Sequence, residues 1–171
     1  MTGAPKVGFF PGSTIGNFEP ALAVEFLMRK RRLLGDGSFM VVGVDLKKDR
    51  DVLIAAYDDA KGVTADFNLN LIDRINRELD GGIDRADFAH KVRYDEDEGR
   101  IEMHLESQCE QTVRIDGHAF DFKQGETIHT ENSYKYGLDD FARVAASAGW
   151  RSDRHWTDAK GLFSIHLLAA G

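Results

Sequence analysis

Residues 9–17 read Phe9-Phe10-Pro11-Gly12-Ser13-Thr14-Ile15-Gly16-Asn17. The apolar run from Val7 to Phe10 breaks into a turn of Pro, Gly, Ser and Thr that ends on Asn17. Val24, Phe26 and Leu27 then follow in a helix-like pattern. This predicts a buried strand, a polar loop at its carboxyl end and a helix. In open α/β sheets, ligands bind in the crevice outside the carboxyl ends of strands. Gly12 and Gly16 let backbone approach a ligand closely, and the Asn17 carboxamide offers both a donor and an acceptor. From the pattern alone, an ordinary strand-to-helix turn is the more economical reading.

Beyond this stretch, Glu19 to Leu34 is amphipathic, with Pro20 in the first turn and Gly35 just past the end. The basic cluster Arg29-Lys30-Arg31-Arg32 falls at that helix end, where cations suit the macrodipole. Gly35-Asp36-Gly37 then turns the chain into Ser38–Leu46. Its run FMVVGVDL is almost continuously apolar, which predicts a central parallel strand covered on both faces, with Asp45 at its carboxyl end. A strand–helix–strand unit of this size reads as half of a doubly wound fold.

From Asp49 the character changes. Asp51–Ala60 and Phe67–Leu79 read as two helices, the second on the stripe Phe67, Leu71, Ile75 and Leu79. A short helix is expected around Arg85 to His90. Period-two stretches follow at Lys91–Asp95, Arg100–Cys109, Gln111–Ile115, Phe120–Phe122 and Glu126–Tyr136, predicting an inserted antiparallel sheet. The acidic run Asp95-Glu96-Asp97-Glu98 reads as a solvated hairpin tip. Leu138–Gly149 is a further helix, and Trp150–Trp156 with Leu162–Leu168 forms a hairpin returning to the first sheet. The expected division is residues 1–48 and 138–171 for an α/β core, with 49–137 as an inserted α+β domain.

The 171 residues are 42% hydrophobic and 30% charged, enough for a sizeable core. A net charge of −7 with interspersed signs argues against a nucleic-acid surface, which needs a basic patch. Cys109 is the lone cysteine, so a disulfide framework and a Cys-based metal site are both excluded. No apolar run approaches the length needed to cross a bilayer. With no N-terminal apolar leader after Met1, a cytoplasmic location is expected. The histidines at 90, 104, 118, 129, 155 and 166 show no H-x-x-x-H or H-E-x-x-H spacing, so no metal is expected. Asp58 and Asp59 are adjacent acids, but helix-surface or structural roles suit them better than catalysis. No G-x-G-x-x-G or P-loop pattern occurs. Two parallel strands and a hairpin are too few for a complete doubly wound sheet, so the partner segment is expected elsewhere.

Taken together, PGSTIGNF (11–18), VGVDLKKD (42–49), AAYDDAKGVTADFNLNLIDRINREL (55–79), RIEMHL (100–105), GETIHTENSYKY (125–136) and WTD (156–158) follow one order. That order resembles the C-terminal half of the S-adenosylmethionine-dependent histidine Nα-methyltransferases of ergothioneine biosynthesis, from about Val7 to Leu168. The resemblance implies the C-terminal part of a Rossmann-like class I methyltransferase sheet with an inserted α+β substrate-binding domain. It implies S-adenosylmethionine as methyl donor and L-histidine as substrate, trimethylated to hercynine. The glycine turn and acidic residue that bind the donor would lie in a more N-terminal portion, leaving this chain's donor-binding residues unassigned and the chain inactive alone. Asn17 matches the residue that holds the substrate's amino-acid end, Tyr57 one that helps bind its carboxylate, and Glu131 with Ser133 the pair that recognises the imidazole. Gly12 and Met103 join them as substrate-binding positions. All are substrate holders, and none is an acid–base catalyst. Glu131 and Ser133, two apart in a strand, share a face. A non-catalytic module docking to a separate donor-binding chain, or a methyltransferase for a related amino acid, are the alternatives. Apolar strands Val7–Phe10 and Phe39–Val44 without neighbours are expected to self-associate through the sheet edge.

Overall fold

The computed structural model describes residues 4–171. In chain order the elements are β1 (Val7–Phe10), a 3-10 turn (Thr14–Asn17), α1 (Pro20–Leu34), β2 (Phe39–Asp45), α2 (Arg50–Tyr57) and α3 (Val63–Glu78). A second 3-10 turn (Arg85–Asp87) leads to β3 (Phe88–Asp95), β4 (Arg100–Ser107), β5 (Gln111–Ile115), β6 (His118–Phe122) and β7 (Thr127–Tyr134). The chain ends with α4 (Leu138–Ser147), β8 (Trp150–Thr157) and β9 (Phe163–Ala170). It divides into two compact units. One comprises the residues up to Lys48, Glu96–Arg100 and Asn132–Gly171, and the other Asp49–Asp95 with Ile101–Glu131.

The first unit is built on a four-stranded sheet in the order β1-β2-β9-β8. β1 and β2 are parallel, in register from Val7 opposite Phe39 to Phe10 opposite Val42. β9 runs antiparallel to β2 and closes a hairpin with β8. α1 makes the crossover. Proline at its first position needs no N–H partner, and Gly35 ends it at φ +86° while its N–H bonds Arg31 O. Arg31 also reaches Asp36 at 2.7 Å, so the basic cluster serves the helix end. The core gathers Leu27, Val42, Val44, Phe141, Trp150 and Leu168. The Trp150 indole donates to the Leu27 carbonyl at 2.9 Å, satisfying its one polar atom inside that core. Among the described residues β1 pairs with β2 alone, and Val7 and Phe9 are 60% and 73% exposed.

The second unit carries α2, α3, the three-stranded sheet β3-β4-β7 and the separate ribbon β5-β6. The expected single antiparallel sheet is thus two. Its core is Ile72, Ile83, Phe88, Leu105 and Val113, with Phe122 edge-on to Phe88 at 5.5 Å. The helix expected at Arg85–His90 is only one 3-10 turn, started by Asp84 accepting from Ala86 N. Phe88 must enter the core, so the chain is already extended there. α3 buries Asn68 and Ile72, while Phe67 and Leu79 are exposed. Residues 132–137 join the first unit because Tyr136 N bonds Asp45 O and Lys47 N bonds Tyr136 O, tying this segment to the end of β2. No helix among the described residues is long and apolar enough to cross a membrane.

Candidate functional site

The turn after β1 is pinned rather than loose. Gly12 has φ +73°, and Ser13 follows at φ +56°, a left-handed conformation unusual for serine. The Ser13 hydroxyl accepts from Asp45 N at 2.8 Å, fastening the turn to the carboxyl end of β2. Ile15 and Gly16 are buried beneath it, and a Cβ on Gly16 would meet the Tyr134 carbonyl oxygen at 2.7 Å. Only glycine fits there. Asn17, the last residue of the 3-10 turn, is exposed, and its carboxamide has no hydrogen bond among the described residues. The position before α1 belongs to Glu19, so Asn17 is not consumed as a helix cap. The Glu19 carboxylate accepts from Asn132 Nδ2 and the Tyr134 hydroxyl. Burial, then that carboxylate, hold the Tyr134 hydroxyl's pKa above its ordinary value.

Ser133 and Lys135 continue in the same unit. Ser133 is buried, and Lys135 Nζ donates to its hydroxyl oxygen at 2.7 Å. The same ammonium lies 2.9 Å from Asp45 Oδ2, with the lysine side chain 0% exposed, and Lys48 pairs with the other Asp45 oxygen. A buried lysine on an aspartate at a strand's carboxyl end was not legible in the sequence. Asp45 and Lys135 lie far apart in the chain, and only the two-residue step from Ser133 to Lys135 hinted at a shared face.

In the second unit, Tyr57 is the last residue of α2 and is half-buried. Its backbone carbonyl faces His90 Nε2 at 2.9 Å, while His90 Nδ1 faces Asn68 Nδ2 at 3.0 Å. Asn68 Nδ2 also donates to the His104 carbonyl, which fixes its amide orientation and makes His90 Nδ1 the acceptor. His90 therefore carries its proton on Nε2 and donates to Tyr57 O. This Asn68–His90 relay anchors the end of α2 and was missed in the sequence, where both residues look like helix or strand surface. Asp59 instead caps α3, accepting from Val63 N and Thr64 N, and these bonds lower its carboxyl to about 2. It is structural, not one of a catalytic pair.

Glu102 and His104 share one face of β4, and the His104 ring stacks on His129 of β7 at 4.6 Å between centroids. Glu131 lies two residues past His129 on β7, and Ser133 two residues further along it. Met103 lies between Glu102 and His104 and so points the other way, to the face that carries Leu105 into the core. Gly12, Asn17 and Ser133 belong to the first unit, and Tyr57, Met103 and Glu131 to the second.

Residues 1–170 match the family model described as histidine-specific methyltransferase, SAM-dependent. The chain is 42% identical over 169 residues to the histidine N-alpha-methyltransferase of Mycolicibacterium smegmatis, covering 95% of this chain and 53% of that protein. It is 30% identical over 162 residues to ergothioneine biosynthesis protein 1 of Neurospora crassa, covering 92% of this chain and 18% of that protein. Among solved structures, the CcbJ methyltransferase from Streptomyces caelestis aligns with a TM-score of 0.51 at 13% identity, over all of this chain and 60% of that one. At that identity the likeness speaks for the fold. The chain spans about half the length of the Mycolicibacterium relative. On the family match over nearly its whole length, this chain belongs to the S-adenosylmethionine-dependent, histidine-specific methyltransferases.

Proposed function

We propose that this chain, within a protein of its relatives' length, holds L-histidine for Nα-methylation to hercynine in ergothioneine biosynthesis. The observation that carries the reading is the Glu131–Ser133 pair, a carboxylate and a hydroxyl two residues apart on one strand face. A neutral imidazole presents one N–H and one lone pair. The carboxylate accepts the first, and the hydroxyl serves the second. The exposed Asn17 carboxamide, on a turn held rigid by Ser13 and Gly16, is suited to the amino-acid end of the substrate. The Tyr57 hydroxyl supports the carboxylate, its helix end fixed through His90.

Bound S-adenosylmethionine would supply the methyl group as a sulfonium. The residues of this chain fit only its margin. The carboxyl ends of β1 and β2, with the Gly12–Ser13 turn, form the ligand side of an open α/β sheet. No G-x-G-x-x-G turn, the usual cradle for such a ligand, occurs in this sequence. The residues of this chain therefore act as substrate holders. They fix the amine, keep its lone pair directed outward and exclude water, so that most of the barrier is lowered by positioning. The lone Cys109 suits a cytoplasmic, reducing compartment.

The test joins this chain to the N-terminal portion its relatives carry and measures histidine methylation. Glu131→Ala should raise KM for histidine roughly 10- to 150-fold, the worth of a charge-assisted hydrogen bond of about 1.5–3 kcal/mol. An unchanged KM would sink the imidazole assignment. Activity restored by the N-terminal portion supplied as a separate chain would favour the docking-module reading.

A further inference from the structure

The stacked histidines on the β4–β7 face have no part in the substrate holding proposed above. The donor atoms of Glu102, His104 and His129 all lie within 4.8 Å of one another, and Glu102 Oε2 is 3.0 Å from His104 Nε2. We propose that Glu102, His104 and His129 form a binding site for a zinc-class divalent cation, with one coordination position open to solvent.

The sheet explains why these residues meet. Ligands at i and i+2 of one strand share a face, and a residue on the neighbouring strand completes a triangle with them. Ser107 N bonds Glu126 O, the pairing that sets His129 beside His104. Helical H-x-x-x-H rules miss this arrangement, because in a sheet the third ligand is distant in sequence. Two imidazoles and one carboxylate are a donor set for borderline divalent ions, and three protein ligands leave a tetrahedral ion one open position.

His104 is rigid and buried, its backbone carbonyl held by Asn68. His129 is exposed and held by a 3.2 Å contact to the Glu131 carbonyl oxygen. Tetrahedral ligands at about 2.0–2.1 Å from zinc stand about 3.3 Å apart, so a rotation of His129 closes the triangle. An ion between Glu102 and His104 would take the place of the proton in their hydrogen bond.

The test titrates cobalt(II), a spectroscopic stand-in for zinc, into the chelator-stripped 171-residue chain. One equivalent should bind at micromolar concentration with the intense visible bands of a four-coordinate site, and zinc should displace it. His129→Ala, at an exposed position that the fold tolerates, should weaken binding at least tenfold, and Glu102→Gln likewise. His118→Ala, on the β5–β6 ribbon, should leave it unchanged. Absence of cobalt bands at equimolar metal would overturn the proposal, as would bands that survive His129→Ala. The readout is metal binding, so it stands whichever amino acid proves to be the substrate.

Discussion

Replacing Asp45 by Asn leaves the shape at the end of β2 and removes one charge. Lys135, with its side chain 0% exposed, then loses a carboxylate at 2.9 Å, and Lys48 loses the same partner. Breaking a buried ion pair by removing one member costs about 3–5 kcal/mol. Asp45 retains 16% side-chain exposure, which places the cost near the lower figure of about 3 kcal/mol. For a chain of this size each kcal/mol moves the melting temperature by about 2–4 °C, so Asp45→Asn should melt about 6–12 °C lower. Lys135→Met alone should cost less than Asp45→Asn, because the Asp45 carboxylate it leaves behind is 16% exposed and keeps Lys48 as a partner. The double substitution should recover at least half of the loss. Thermal unfolding followed by circular dichroism reads all four proteins. A shift below 1 °C for Asp45→Asn, or a double variant no better than the single, would refute the claim that this pair anchors the strand end beneath Ser133.

Further outcomes follow from other elements. His166 is fully buried, and burial followed by the charge of His155 depresses its pKa from 6.5 to about 4. The unfolded chain therefore binds the extra proton first, and stability complete above pH 6.5 should fall by about 3 kcal/mol as pH drops to 4. Urea midpoints across that window should flatten in His166→Asn, and an unchanged pH slope would contradict the assignment. Trp150→Phe should cost about 0.5–1.5 kcal/mol, since it removes the 2.9 Å indole bond to a Leu27 carbonyl that keeps its bond within α1; chemical denaturation measures it. The exposed apolar edge of β1 should make the isolated chain self-associate, seen as a concentration-dependent mass in light scattering. Phe9→Lys should restore the monomer, and association unaffected by that change would place the contact elsewhere.

The first unit was largely legible in the sequence because its signals agree. Proline and glycine punctuate α1, and the two-faced apolar run 39–44 can only be a covered strand. α3 was legible as a helix but not in its orientation. Its exposed residues Phe67 and Leu71 and its inward residues Asn68 and Ile72 both recur at helical spacing, and period alone does not say which stripe faces inward. The same limit governs the site. Asn17 is visible because a local turn presents it, whereas Lys135 on Asp45, and His129 on His104, depend on strand pairing that no local pattern encodes.

Whether histidine is the substrate is decided by one measurement. The chain joined to its relatives' N-terminal portion is incubated with methyl-labelled S-adenosylmethionine and a panel of amino acids, and the products are resolved by mass spectrometry. Label is expected on the α-nitrogen of L-histidine, progressing to the trimethyl product, with little on other amino acids. Preferential methylation of an amino acid without an imidazole, with histidine left untouched, would contradict the assignment.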